Sequence, residues 1–367
     1  MPYGSVNADL MTTSDGVSSS GLYGFKNRII NGAMVIDQRN AGASVTPTDA
    51  QYCVDRWRAV ASAASKFTVQ QSTTAPDGFT NSLLLTSSSA YTPSTSEAFG
   101  ILQLIEGFNC ADLMFGTATA KTITVSFWVR SSLTGTFGGF LTNASFNRAY
   151  PFTYTINSAN TFEQKTVTIA GDTTGTWATN SSGCIGVGFS IGAGATLSAT
   201  AGAWGAGTKL GATGQTQLIS TSGATFYVTG VQLEKGSTAT SFDYRPYGTE
   251  LQLCQRYFQV YGSVGSTGTN GDVFIGTYRN SSTLFVPVQY EVPMRTTPSF
   301  TQISVSGAQW SSQTQDVTIT GFSLSNTPTP RTAFVQATSS AAFAAGNGLV
   351  YTNGGTTTNA FSFSAEL

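Results

Sequence analysis

The sequence predicts an all-β protein: an N-terminal arm, a jelly-roll β-sandwich, a short linker helix and a second, smaller β-sandwich domain. Three observations carry this. Charged residues are only 10% of the 367, against roughly 25% in an average globular chain. Polarity comes instead from Ser, Thr, Asn, Gln and 40 glycines, which suit turns and strands better than solvated helices. Apolar residues also recur with period 2 in several segments, the mark of half-buried strands.

The clearest of these is Ile123 to Val129, where Ile123, Val125, Phe127 and Val129 share one face and Thr124, Ser126 and Trp128 the other. Cys184 to Ile191 repeats the pattern with Ile185, Val187, Phe189 and Ile191, opposite Gly186, Gly188 and Ser190. Small residues on that second face predict close approach of another sheet or chain. Phe226 to Leu233 and the pair Val167 and Ile169 mark further strands, and the Gly- and Ala-rich run 192–214 reads as loop. Strands at this spacing, without helical patterns between them, predict a sandwich over 30–247.

Residues 248–258 predict a linker helix, with Leu251, Cys254 and Phe258 on one face for packing between subunits or along the linker. Residues 259–367 predict the smaller β domain, with strands at 272–279, 283–290, 298–305, 315–323, 331–337 and 359–365. Pro287 lacks a backbone donor, so its strand is expected at an edge or a bulge. Residues 1–29 are polar and aperiodic and predict an arm ordered by a partner, with Met1, Tyr3 and Leu10 as its attachment residues.

The sequence contains no histidine. That excludes Ser-His-Asp and Cys-His catalysis and His-ligated zinc. Gly188-Phe189-Ser190-Ile191-Gly192 matches a hydrolase elbow in letters only, because no helical pattern follows it. Gly205 to Gly211 lacks the spacing of a phosphate loop. Glycoside cleavage needs only two carboxylates, and the pairs Glu97 with Glu106 and Glu234 with Asp243 are the candidates among 18 acidic residues. No cofactor is expected. A structural calcium ion held by loop carboxylates is compatible with such a sandwich, but no ligand set is assigned. Cys53, Cys110, Cys184 and Cys254 form no CxxC pair and read as buried free thiols.

A net charge of −1 gives no field for nucleic acid or an anionic membrane. No apolar run is long enough for a transmembrane helix, and no secretory signal is visible at the N-terminus. A low-charge surface suits packing against copies of itself and hydrogen bonding to neutral sugars. Trp204 and Trp310 stand in Gly/Ser/Gln-rich surroundings. They read either as stacking platforms for a sugar ring or as plugs at the ends of a β domain.

Three segments resemble bacteriophage tail-fibre and related virion proteins. The first is Lys26-Asn27-Arg28-Ile29-Ile30-Asn31-Gly32-Ala33-Met34-Val35-Ile36-Asp37-Gln38-Arg39-Asn40, with Val54-Asp55-Arg56-Trp57 after it. The second is Val228-Thr229-Gly230-Val231-Gln232-Leu233-Glu234-Lys235-Gly236, followed by Phe242-Asp243-Tyr244-Arg245-Pro246-Tyr247 and Leu253-Cys254-Gln255-Arg256-Tyr257-Phe258. The third runs from Phe285 to Pro298. The resemblance implies a jelly roll similar to carbohydrate-binding modules, then a linker helix and a C-terminal β domain. It also implies a homotrimer in the virion, at the tail or baseplate periphery, contacting host surface polysaccharide. It carries over no catalytic residue. A capsid decoration protein and an enzyme that trims polysaccharide are the alternatives.

Overall fold

The computed structural model describes residues 25–262, 273–312, 315–351 and 359–367. The attachment residues Met1, Tyr3 and Leu10 lie outside them. The chain divides into two compact units at Tyr247 and Gly248.

The first unit is a jelly-roll sandwich of two antiparallel sheets. One sheet runs, in spatial order, Tyr52–Val54, Trp57–Ala61, Ala98–Glu106, Gly183–Ala193, Gly135–Asn143, Arg148–Ile156 and Gly205–Ala206. The other runs Phe67–Ser72, Ser82–Ser87, Thr225–Lys235, Ile123–Ser131 and Glu163–Ile169. Consecutive strands repeatedly change sheet, so each sheet is stitched from distant parts of the chain. The apolar faces expected at 123–129 and 185–191 meet between the sheets. There Phe127 packs on Phe189 with ring centroids 4.9 Å apart at 72°, an edge-to-face contact.

Of the small residues opposite that face, Ser190 is closely approached by a further segment at Gly211 and Gln215, as expected, while the two glycines play a different part. A side chain at Gly188 would meet the Phe140 ring, and one at Gly186 would meet Thr142 and Leu102. These are neighbours in the same sheet, so the glycines make room for adjacent strands rather than for another sheet. The run after Ala193 then covers this outer face. Leu210 joins Val60, Leu102, Leu104 and Phe140 in a second small core. The run carries a short parallel pair, Ser198–Ala199 with Gly211–Ala212, and the edge strand Gly205–Ala206.

The second unit opens with the helix Tyr247–Gln255, the one α-helix among the described residues. It ends three residues earlier than expected, because Phe258 starts the strand Phe258–Gly262 and pairs with Ser364. Leu251, Cys254 and Phe258 therefore do not share a helix face. Cys254 and Phe258 are buried within the single chain and Leu251 is half-buried.

A three-stranded sheet, Phe258–Gly262, Asn359–Ser364 and Ser299–Gln302, faces a seven-stranded one. The larger sheet runs Asp316–Thr318, Gln309–Ser311, Asn347–Tyr351, Val273–Asn280, Thr283–Gln289, Thr332–Thr338 and Gly321–Leu324. Pro287 sits in an interior strand, but pairing with Val273–Asn280 stops at Phe285. From there the strand is paired only through Thr332–Thr338, which makes the missing donor tolerable.

Candidate functional site

Residues of the first two segments that resemble virion proteins converge in a polar clasp. The backbone N–H groups of Lys26 and Asn27 donate to Asp243 Oδ2 at 3.0 and 3.2 Å. Asn27 Nδ2 donates to the Val231 carbonyl at 3.0 Å, and its Oδ1 accepts from Leu233 N at 3.1 Å. Arg245 donates to the carbonyls of Ile29 and Asn27. Nearby, Asp55 accepts from the Gln38 backbone and side chain at 2.7 and 2.6 Å. Arg56 donates to the Leu104 carbonyl at 2.6 Å, and Trp57 Nε1 to the Asn31 carbonyl at 3.1 Å. Gly32 is required here, since a side chain would meet the Val231 carbonyl. Ile29 and Asn27 are buried, so the folded unit begins at least as early as Lys26, inside the stretch expected to be an arm. These residues hold the fold.

The candidate acid pairs are also structural. Glu97 and Glu106 lie at opposite ends of the strand Ala98–Glu106, about 30 Å apart at ~3.3 Å per residue. Paired catalytic carboxylates stand roughly 5–10 Å apart. Glu234 is buried and accepts from Thr240 N at 2.9 Å, Thr240 Oγ1 at 2.7 Å and Gln232 Nε2 at 3.0 Å. Asp243 serves the clasp. Ser190, from the elbow-like motif, is fully buried mid-strand and accepts from Gln215 Nε2 at 2.7 Å.

The two tryptophans have separate fates. Trp204 is half-buried, next to the edge strand Gly205–Ala206. It packs edge-on against Trp177 at 5.4 Å and Phe115 at 5.8 Å and lies beside Tyr150 at 5.4 Å. Its indole N–H is spent on the Ala170 carbonyl at 2.7 Å. Trp310 is 1% exposed and belongs to the core of the second unit. It is a strand residue rather than a loop platform, and cannot stack on a sugar at the surface.

A cavity that the sequence did not reveal lies in the second unit. Its volume is about 340 Å³, and Gln255, Tyr261, Val273, Phe274, Gln289 and Glu291 are among its lining residues. Gln259, almost fully buried, organises the wall. Its amide nitrogen donates to the carbonyls of Gln255 and Val292 at 3.1 and 3.0 Å. Its oxygen accepts from the Tyr261 hydroxyl and Glu291 N, both at 3.0 Å. The Tyr261 and Phe274 rings meet at 5.7 Å and 61°. The amides of Gln255 and Gln289 and the carboxylate of Glu291 thus surround an aromatic wall. That set offers donors and acceptors to a neutral polar ligand. Glu291 is the one carboxylate among the described lining residues.

Among the described residues, no group of three or more His, Cys, Asp or Glu side chains is placed to hold a metal ion. No helix there is long and apolar enough to cross a membrane.

No protein-family model matches the chain, and no curated protein does. Among solved structures, the enzymatically active domain of bacteriophage CBA120 tailspike protein 4 aligns at 13% identity and a TM-score of 0.32. That alignment covers 57% of this chain and 22% of that one. A family 4 carbohydrate-binding module aligns at 17% identity and a TM-score of 0.29, over 56% of this chain and 98% of the module. A family 11 carbohydrate-binding module from a Clostridium thermocellum cellulase gives 11% identity and a TM-score of 0.28, over 54% and 98%. The chain thus spans under a quarter of the tailspike domain. At these scores, assignment of a site or activity rests on the chain's own residues.

Proposed function

We propose that the chain is a non-catalytic adhesive subunit of a virion, a phage tail-fibre protein that binds a host-surface glycan. In this reading it is made in the host cytoplasm and assembles as a homotrimer. Its N-terminal residues join it to other tail or baseplate proteins. The observation that carries the glycan reading is the cavity of the second unit, where the amides of Gln255 and Gln289 and the Glu291 carboxylate line the same space as the half-buried Phe274 ring. A pyranose needs such a combination: an apolar ring face to stack on, and fixed partners for its hydroxyls. The low charge of the chain and its resemblance to virion proteins support the setting.

The test is titration of purified host-envelope polysaccharides against the full chain, with Gln289→Ala and Glu291→Ala compared with wild type. Binding weakened by tenfold or more in either variant, with no release of reducing ends over time, is the expected result. Equal binding by all three proteins removes the cavity from the reading, and steady sugar release overturns its non-catalytic part. Gold labelling of intact particles places the protein on the tail in this reading; label on the capsid shell supports a decoration role instead.

A further inference from the structure

We propose that the outer face of the seven-stranded sheet in the second unit is the surface through which copies of this chain associate. This rests on the self-packing reading of the low-charge surface, and the contact it describes pairs copies face to face across a two-fold axis, in addition to the trimer proposed above. The strands are two-faced. Leu284, Val286, Val335 and Val350 point into the core and are fully buried. On the opposite face Val273 is 48% exposed, Ile275 60%, Leu349 44% and Phe334 45%. The register makes two of these direct neighbours. Ile275 lies opposite Leu349, and Leu349 opposite Ser311. Two strands further on, Phe334 lies opposite Pro287. Ile275, Leu349, Ser311 and Asn347 border a depression of about 520 Å³ on this face. The outer face of an antiparallel sheet ordinarily alternates to polar residues, and contiguous apolar exposure marks an interaction surface.

Charge selects the occupant. Across all seven strands the charged residues are Asp316 and Arg279. A face with one anion and one cation offers no net attraction to nucleic acid, an anionic membrane or a charged peptide. A second copy presents the same neutral apolar field with the same two charges, so it covers the patch without stranding either of them. Asp316 is level with Ile275 through Ser311 and Leu349, and Arg279 lies four residues further along. The two are about 20 Å apart, at ~4.8 Å per strand and ~3.3 Å per residue. A two-fold axis midway between them brings Arg279 of one copy to Asp316 of the other. Arg279 is held over the Phe285 ring at 4.8 Å, which keeps it on this face.

Sedimentation and light scattering of the full chain across a wide concentration range test this. The comparison includes wild type, Ile275→Lys with Leu349→Lys, and a control, Phe108→Lys, at an exposed residue of the first unit. The expected result is an oligomeric wild type and control, with the double variant dissociating at tenfold or higher concentration, or unpaired throughout. Circular dichroism checks that it is folded. A second pair carries the test if it is not. Arg279→Asp alone weakens assembly, and adding Asp316→Arg restores it. An oligomer indifferent to all of these changes overturns the surface while self-association stands. A wild type that stays monomeric overturns self-association itself.

Discussion

Gly276 and Gly348 face each other across two antiparallel strands, and their missing side chains leave the slot that the Trp310 indole fills. A Cβ at Gly276 would lie 2.7 Å from Val350 Cγ2 and 3.2 Å from Trp310 Cδ1. One at Gly348 would meet Trp310 Nε1 itself. Gly348→Ala therefore overpacks the core of the second unit, at a cost of about 1–3 kcal/mol. Calorimetry should show the transition of that unit lowered by several degrees. Gly205→Ala, where nothing lies within 4 Å, should leave the melting profile unchanged.

The clasp predicts a penalty far from any cavity. Asn27→Ala leaves the Val231 carbonyl and the N–H groups of Ile29 and Leu233 without their side-chain partner. Buried groups orphaned in this way cost about 1–3 kcal/mol. Urea unfolding should show an earlier midpoint for the first unit, while glycan binding by the folded protein is retained.

Glu163 gives the chain an acid-sensitive contact. Burial pushes its pKa upward, but Lys165 at 2.6 Å and the amides of Ser158 and Asn157 outweigh that and hold it at about 2. A carboxyl depressed on folding contributes stability above its unfolded pKa and loses it as pH falls through the folded one. Glu163→Gln should therefore be less stable than wild type at neutral pH. The two should converge as pH falls from about 4.5 to about 2.

None of the four cysteines is in a disulfide, and all are buried. Burial pushes the Cys53 thiol up to about 12. Cys110 is raised by its hydrogen bond to the Cys184 thiol and by burial. A thiol reagent at about pH 8, where an exposed cysteine is substantially thiolate, should label none of the four in the native protein. It should label all of them after denaturation. Rapid labelling of the native protein would contradict the burial.

The strands were legible wherever alternation was written in β-branched and aromatic residues. Ile123 to Val129 falls within the observed Ile123–Ser131, and Cys184 to Ile191 within Gly183–Ala193. Legibility ended where glycine replaced side chains. Gln309–Ser311 and Asn347–Tyr351 were passed over, and Trp310 looked exposed because the partner glycines that house it are more than 30 residues away in sequence. The cavity was invisible for a related reason. Gln255, Tyr261, Phe274 and Gln289 come from a helix end and three strands, and only tertiary pairing brings them together. The paired spacing of Gln289 and Glu291 beside Tyr290 was the one local signal. The clasp was readable as a set of shared residues, though the bonds joining them cross more than 200 positions.

Those bonds also dictate when the first unit can mature. Asn27 is secured by Val231, 204 residues later, and its carbonyl by Arg245, 218 residues later. During synthesis the opening segment therefore emerges long before its partners exist. The apolar strands already released must wait for most of the unit to follow. Non-local closure of this kind is slow and leaves strand edges uncovered meanwhile. The vulnerable period for the chain is its own translation, and a truncation before Arg245 should yield aggregate rather than a smaller folded domain.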